Sequence, residues 1–135
     1  MDYKKLSLKI LPERMAVCRF DASEPLPKWL DVSDFYSVTR TRDELTVVCR
    51  EDSVVPGTVG ENGWRCIGVQ GVLDFSEIGI IFTITQPLAK NGVSVFVIST
   101  YDTDYFLVKE KELPKTIDAL TAAGHRIDTE DPSSL

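Results

Sequence analysis

The chain has 135 residues, of which 43% are hydrophobic and 27% charged, and its formal net charge is -6. This length and composition suit one compact domain or two very small ones sharing a core, which needs no disulfide or metal to be stable. The negative charge, without any run of five basic residues, argues against nucleic-acid binding and against an electrostatic membrane surface.

Three widely spaced cysteines, Cys18, Cys49 and Cys66, form no C-x-x-C pair. An odd number of cysteines in a chain of this kind predicts reduced, buried thiols and an intracellular compartment. The N-terminal segment MDYKKLSLKI is not apolar enough for a signal peptide, and the longest apolar region, 78–89, is too short for a membrane span. We therefore expect a cytoplasmic protein that does not associate with membranes.

The first half of the chain is rich in strand patterns. Its predicted elements are a strand at 5–11, a strand at 14–20 after a Pro12-Glu13 turn, at most one helical turn within 22–31, and a hairpin at 34–51. Residues 52–64 are rich in Gly, Pro and Asn, which makes this stretch the best candidate for a boundary between modules.

The second half alternates strands and helices. Its predicted elements are strands at 64–71, 93–100, 105–110 and 125–129, a helix at 76–92 with Ile78, Ile81, Phe82, Ile84 and Leu88 at helical spacing, and a helix at 112–124. Asn91-Gly92 predicts the end of the first helix, and Pro87 predicts a kink or a distorted last turn rather than an early end. The order β-α-β-β-α-β indicates an α+β, ferredoxin-like fold, with helices on one face of a four-stranded antiparallel sheet.

The two halves also resemble each other weakly. A shift of 59 positions aligns TRDELTVVCRE (41–51) with TYDTDYFLVKE (100–110), so that Thr, Asp and the final Glu coincide. Either an internal duplication or shared hairpin chemistry would produce this likeness.

A catalytic role is not expected. The single histidine, His125, follows the predicted helix stop Gly124, where a lone histidine is most often a surface residue. The sequence has no G-x-S-x-G, H-E-x-x-H, Walker or dinucleotide motif, and its cysteines and histidine are too far apart for a metal site. We expect no enzyme, no metal and no cofactor.

The stretch GVLDFSEIG (71–79) is the first candidate for a binding site. Asp74 or Ser76 can cap the predicted helix, with Glu77 placed favourably against the helix dipole, and on this stretch alone capping is the favoured interpretation. The same free backbone N–H groups can instead hold a carboxylate from a ligand. Gly79 inside a first helical turn costs about 1 kcal/mol relative to Ala and so requires a reason, either close packing or a ligand.

The stretch STYDTDY (99–105) is the second candidate. Its composition suits a hairpin turn, but Ser99 and Thr100 are predicted to end the strand beside the one that leads into 72–76. Two polar clusters would then meet at one end of the sheet and could hold a zwitterion. Backbone N–H groups would bind its carboxylate, and acidic side chains would bind its amino group. Those acids would be Asp74, Glu77, Asp102 or Asp104.

With these residues in view, the chain resembles the ACT domain family, in the branch of small bacterial ACT proteins and the CASTOR arginine sensors. The resemblance rests on Gly79 followed by IIFTITQPLAKNGVSVFVIST and then YDTDYFLV, where the family pattern "Gly … PLA … G" is met by Gly79, Pro87 to Ala89 and Gly92. It covers about 64–129 strongly. Residues 5–51 are similar to a diverged partner module, so the resemblance implies two tandem ACT-like modules packed together, at 1–60 and 61–135.

The resemblance implies regulation by a small effector, favouring an amino acid, which binds where modules pair and acts allosterically on a partner protein. The rival expectation is an ACT-type pairing module without a ligand, and a homodimer is expected under both. Carried over position by position, the implied ligand site is Val72, Leu73, Asp74, Phe75, Ser76, Glu77, Ile78 and Gly79, with Ser99, Thr100 and Asp104, and less firmly Tyr101 and Asp102.

Overall fold

The computed structural model describes residues 4–71 and 78–128, and these residues fall into two compact units. One unit is Glu13–Trp64, and the other combines residues 4–12 with 65–71 and 78–128. The boundary expected from the sequence lies between residues 60 and 61. The structure instead groups residues 4–12 with the C-terminal stretch, so the second unit is discontinuous in sequence.

In the described part of the chain, strands and helices alternate. The strands are β1 (Ser7–Phe20), β2 (Tyr36–Arg40), β3 (Leu45–Arg50), β4 (Gly60–Val69), β5 (Phe96–Ser99), β6 (Asp104–Lys109) and β7 (Arg126–Asp128), the α-helices are α1 (Ile80–Lys90) and α2 (Leu113–Ala122), and short 3-10 helices lie at Lys28–Val32, Glu51–Ser53 and Glu110–Glu112. No helix among the described residues is long and apolar enough to cross a membrane.

The first strand is longer than the sequence predicts. The expected turn at Pro12-Glu13 is wrong, because β1 continues through both residues. Its parallel ladder with β7 ends at Lys9, and its antiparallel ladder with β3 begins at Met15. Pro12, which has no N–H to donate, falls between these two ladders and is therefore tolerated inside a strand.

The regular secondary structure of the unit Glu13–Trp64 consists of strands and two short 3-10 helices. Its strands follow the order β2-β3-β1-β4, and the hairpin predicted at 34–51 is confirmed as β2 and β3. A 3-10 helix occupies each of the two places where a β-α-β-β-α-β order would have an α-helix. The buried residues of its core are Ala16, Cys18, Leu30, Leu45, Val47 and Cys49.

The other unit contains both α-helices. From β4 to β7 its elements follow the predicted order β-α-β-β-α-β. The expected four-stranded antiparallel sheet is wrong in one respect, because β1 lies between β4 and β7 and pairs with β7 in parallel. The buried core residues are Leu6, Leu8, Ile10, Ile67, Val69, Ile80, Ile84, Leu88, Val93, Phe106, Val108, Ala119 and Leu120.

Helix α1 begins later than predicted and buries only part of the predicted apolar set. It starts at Ile80 rather than 76, and its buried residues are Ile80, Thr83, Ile84, Pro87 and Leu88. Ile84 and Leu88 belong to the predicted apolar set, whereas its other members, Ile78, Ile81 and Phe82, are exposed, and Ile78 has 85% of its surface in solvent. The apolar residues at helical spacing therefore lie partly in the buried core and partly on an exposed surface.

The two α-helices end in the same way. After α1 the backbone N–H of Val93 donates to Leu88 O at 2.9 Å, and after α2 that of His125 donates to Leu120 O at 3.1 Å. The intervening glycines, Gly92 and Gly124, have φ of 71° and 98°, as the left-handed residue of such an ending requires. The helix stops predicted at these glycines are confirmed.

The expectation of a surface position for His125 is wrong, because only 3% of it is exposed. Inside α1, Pro87 cannot donate to the carbonyl of Thr83 four residues earlier. His125 takes that carbonyl, with its Nε2 3.0 Å from Thr83 O, while its Nδ1 accepts the N–H of Leu6 at 3.0 Å. With Nδ1 as acceptor, these contacts correspond to the imidazole tautomer that carries a proton on Nε2.

The similarity between 41–51 and 100–110 has a structural counterpart. The β2–β3 hairpin closes on the pair Arg40–Leu45 and the β5–β6 hairpin on the pair Ser99–Asp104, which is the same shift of 59 positions. Each second strand then leads into a short 3-10 helix. The likeness thus extends to register and to the following element.

Candidate functional site

Part of the sequence-predicted site lies outside the described residues. These positions are Val72, Leu73, Asp74, Phe75, Ser76 and Glu77. The structure describes both ends of this segment, Gly71 and Ile78, and the other predicted residues from Gly79 to Asp104.

Gly79 has a backbone reason to be glycine. It is the residue before α1, with φ 81° and ψ 9°, a left-handed conformation that strains any residue with a Cβ. Its carbonyl accepts the N–H of Thr83 at 2.9 Å, which closes the first helical turn. The chain thus leaves 72–77 through a sharp, fixed turn, and Gly79 is outside the helix rather than within its first turn.

The Thr100–Thr103 turn is held by its own side chains. The backbone N–H and the hydroxyl of Thr100 donate to Thr103 O at 2.8 and 3.0 Å, and the N–H of Thr103 donates to Thr100 Oγ1 at 3.2 Å. Thr41 makes the corresponding contacts with Glu44 O, at 2.9 Å from N and 3.3 Å from Oγ1. Thr100 therefore has a structural role that its counterpart Thr41 shares.

A further contact fastens this turn to the strand before 72–77. The hydroxyl of Thr103 donates to Val69 O at 3.2 Å, at the end of β4. The expected neighbour of β4 was β5, which is wrong, because β6 lies between them. The polar turn nevertheless reaches the end of β4 through Thr103, a residue that the sequence analysis did not single out.

Ser99 and Asp104 lie opposite each other at the last register pair of β5 and β6. Ser99 and Thr100 are exposed, and Asp104 is partly buried. The structure therefore brings three of the predicted residues together at the end of this hairpin, beside the end of β4. Tyr101, with 81% of its surface exposed, projects from the same turn.

Apolar side chains are exposed at the start of α1. Ile78, Ile81 and Phe82 are 85%, 41% and 51% exposed. They follow directly on 72–77 along the chain, and none of them carries a charge. This surface, Ile78–Ile81–Phe82, is available for a ligand or for another chain.

The cysteines behave as predicted, since Cys18, Cys49 and Cys66 are all free and buried. The Cys18 and Cys49 thiols hydrogen-bond to each other, and this bond, together with burial, raises the pKa of the Cys49 thiol. Within the described residues, no three His, Cys, Asp or Glu side chains are grouped as a metal site requires.

The unit Glu13–Trp64 contains a cavity of about 490 Å³, near Arg19 and Gly57, which the sequence does not predict. Its residues come from the end of β1 with the loop after it and from the loop before β4, and no motif marks them in the sequence. Only the strand order brings those loops together.

Comparisons with known proteins identify the family. A family model described as an ACT domain matches residues 59–122, and a model described as an N-terminal domain matches 13–57. The structure of protein Atu0741 from Agobacterium tumefaciens is 41% identical, with a TM-score of 0.87 over 93% of both chains. The ligand-free regulatory subunit of aspartate kinase from Thermus thermophilus has the same fold, with a TM-score of 0.63, 11% identity and coverage of 90% of this chain and 99% of its own.

The rat cytosolic arginine sensor for mTORC1 subunit 1 is 39% identical over 70 residues, which are 51% of this chain and 21% of the sensor. The match thus spans about a fifth of the length of that relative. Residues 59–122 of this chain belong to the ACT domain family, and the chain is related in sequence to these arginine sensors.

Proposed function

We propose that this chain is a non-enzymatic regulatory protein that binds a small effector, an amino acid, and acts allosterically on a partner protein. The observation that carries the proposal is the bond from Thr103 to Val69 O, which fastens the polar hairpin end to the strand leading into 72–77. Two similar proteins, an arginine sensor and the regulatory subunit of aspartate kinase, support a regulatory role for this chain.

The proposed site combines 72–79 with Ser99, Thr100 and Asp104 in the C-terminal unit. Hydroxyl groups and free backbone N–H groups would bind the carboxylate of the effector, and acidic side chains would bind its amino group. The effector changes the activity of the partner only if it binds two arrangements of the protein with different affinity. The proposal also includes two tandem ACT-like modules and a cytoplasmic location. The three free cysteines favour the cytoplasmic location.

The first test is thermal unfolding in the presence of each of the twenty amino acids at millimolar concentration. A ligand at about a hundred times its dissociation constant stabilises the folded chain by roughly 2.7 kcal/mol. Arginine is the first candidate to examine, given the similarity to an arginine sensor. If no amino acid raises the unfolding midpoint, the proposed effector class is wrong.

The chain offers a matched pair of variants for locating the site. Thr41→Val and Thr100→Val each remove the same hydroxyl from equivalent turns, so each should lower the free energy of unfolding by about 1 kcal/mol. Only Thr100→Val should also reduce the stabilisation by the effector. Equal reduction by both variants, or by neither, would exclude this hairpin end as the site.

The second candidate function is an ACT-type pairing module without a ligand, favoured by the exposed apolar surface Ile78–Ile81–Phe82. Under this proposal two copies bury the surface against each other. Sedimentation velocity should then show a dimer, and Ile81→Glu should give monomers, whereas Ile117→Val, a conservative change in α2, should not. A monomeric wild-type chain would contradict it.

A further inference from the structure

The cavity of about 490 Å³ is lined by residues of the unit Glu13–Trp64, and none of its described lining residues belongs to the proposed effector site. One wall is the end of β1 and the loop after it, including Arg19, Asp21 and Glu24, and the other is the turn that ends at Val59. Its volume falls in the range of about 300–1,000 Å³ that is typical of small-molecule pockets.

Both walls are held in place by hydrogen bonds. The Arg40 guanidinium donates to the backbone carbonyls of Ala22 and Glu24, the latter at 2.8 Å, so the loop is fixed from a neighbouring strand. On the other side, Thr58 donates to Val55 O through both its N–H, at 3.3 Å, and its hydroxyl, at 2.7 Å. The cavity is therefore preformed, which lowers the entropy cost of binding.

The Arg19 guanidinium retains donors for a ligand. Its carboxylate neighbours Asp21 and Glu44 lie at 3.9 and 4.0 Å, beyond hydrogen-bond distance, and its Nη2 donates to Asp43 O at 3.3 Å. A guanidinium has five N–H donors and binds a carboxylate through two of them. Arg19 is thus oriented by a backbone carbonyl but not saturated by its acidic neighbours.

A second charged groove, of about 220 Å³, provides a contrast. There Arg50 donates to Asp52 at 2.8 Å and has Asp34 at 3.8 Å. The hydrogen bond and the charge of Asp52 raise the pKa of Arg50. That guanidinium is already matched to a carboxylate, so the groove offers little to an anion.

The remaining lining of the larger cavity is acidic and apolar. Asp21 and Glu24 can accept hydrogen bonds from an ammonium group, while Phe20 and Val59 present apolar surface. Val59 has 69% of its surface exposed, so contact with an apolar group would remove that surface from water.

We propose that this cavity is a binding site for an α-amino acid with an apolar side chain. Arg19 binds the carboxylate, Asp21 and Glu24 bind the ammonium group, and Phe20 and Val59 contact the side chain. The proposal does not rest on the proposed effector site, because none of the described lining residues belongs to that site.

The test is a titration of the ¹⁵N-labelled chain, followed by NMR, with L-valine, L-leucine, L-isoleucine, L-methionine and L-phenylalanine added singly at millimolar concentration. Binding here should shift the amide signals of Asp21, Gly57 and Thr58. The proposed effector site has its own reporters, Gly79, Thr100 and Asp104, so the two proposals succeed or fail separately. If none of the five amino acids shifts the first set, this inference is wrong.

Analogues that lack one charge test the zwitterion. For L-leucine these are 3-methylbutylamine and 4-methylpentanoate, and for L-phenylalanine they are 2-phenylethylamine and 3-phenylpropanoate. Each analogue should bind at least about tenfold more weakly than its amino acid, because one charge-assisted contact is lost. An analogue that binds as tightly as the amino acid would overturn the assignment.

Variants with matched controls test the residues. Arg19→Gln should weaken binding at least about tenfold, and Asp21→Asn with Glu24→Gln should weaken it similarly. The control Arg42→Gln removes one positive charge, and the control Asp31→Asn with Asp118→Asn removes two negative charges, all at exposed positions that are not among the described lining residues of the cavity. Both controls should leave the affinity within twofold. If Arg19→Gln and Arg42→Gln weaken binding equally, the loss of affinity comes from the change in net charge, and the proposal is overturned.

Discussion

The hydrogen bond between His125 and Thr83 O shows how one residue, Pro87, determines the role of another far along the chain. Pro87 removes the backbone donor that would satisfy Thr83 O inside α1. His125, which follows α2, supplies a donor in its place at 3.0 Å. A proline that is unfavourable in a helix on local grounds is thus matched by a buried histidine from the next helix–strand connection.

This contact makes a prediction about energetic coupling. In His125→Ala both Thr83 O and the N–H of Leu6 lose their partner, at a cost of about 1–3 kcal/mol for each buried group. In a Pro87→Ala background the new N–H can bond Thr83 O, so the same histidine change should cost about 1 kcal/mol less. Urea unfolding of the four chains measures this difference. Additive losses would show that His125 does not replace the missing donor.

Gly79 shows the limit of inference from a family pattern. Its glycine is part of the ACT-like signature, where it suggests close approach of a ligand. The structure gives it a sufficient backbone reason, a φ of 81° at the residue before α1. The backbone conformation therefore explains why this residue is glycine, and a ligand contact at Gly79 is not needed to explain it.

Among the elements, those whose signals are local are predicted best. The β2–β3 and β5–β6 hairpins, the stops at Gly92 and Gly124 and the order β-α-β-β-α-β all follow from short patterns. The failures depend on contacts between distant segments. β1 runs through Pro12 because its partners change there, and α1 buries Thr83 rather than Ile81 because of where the sheet lies.

The candidate site follows the same division. The sequence suggested Ser99, Thr100 and Asp104 from composition, and the structure places them at one hairpin end. The sequence does not indicate Thr103, because its role is a hydrogen bond to Val69 O, on a strand 34 positions earlier. The sequence does not predict the cavity beside Arg19 either, because its two walls are distant in sequence.

The β1–β3 ladder makes a prediction about the thiols of Cys18 and Cys49. Cys18 pairs with Val47 and Cys49 with Ala16, so the cysteines are diagonal neighbours. Diagonal Cα atoms lie about 7–8 Å apart, beyond the usual disulfide span. With Cys66 also buried, Ellman's reagent should find three thiols in guanidinium and none in the native chain within minutes. Rapid native labelling, or an oxidised Cys18–Cys49 pair, would contradict this packing.

For the whole molecule, the discontinuous unit decides what can fold alone. Leu6, Leu8 and Ile10 are at most 5% exposed and belong to the same core as α1 and α2. Within the described residues β7 pairs with β1, at Ser7–Lys9. The C-terminal ACT-like module therefore needs the first strand of the chain as part of its own sheet and core.

A truncation tests this dependence. Residues 61–135 alone lose three buried side chains worth about 1.5–3 kcal/mol each, which is comparable with the total stability of about 5–15 kcal/mol of a small domain. The fragment should therefore lack a cooperative thermal transition in circular dichroism. A native-like midpoint for it would show that the N-terminal strand is dispensable.

Restoring the strand should restore folding. Ser7 O accepts the N–H of Gln70 at 2.9 Å and Leu11 O accepts the Arg65 guanidinium at 3.1 Å, so the two segments run in opposite directions side by side. A chain that joins residues 1–12 to 65–135 through Asn-Gly, a sequence favoured in two-residue hairpin turns, should fold cooperatively. The same joined chain with Leu8→Asn and Ile10→Asn keeps the length and the turn but loses the apolar contacts. It should remain unfolded, and cooperative folding of this control would mean that β1 acts through its backbone alone.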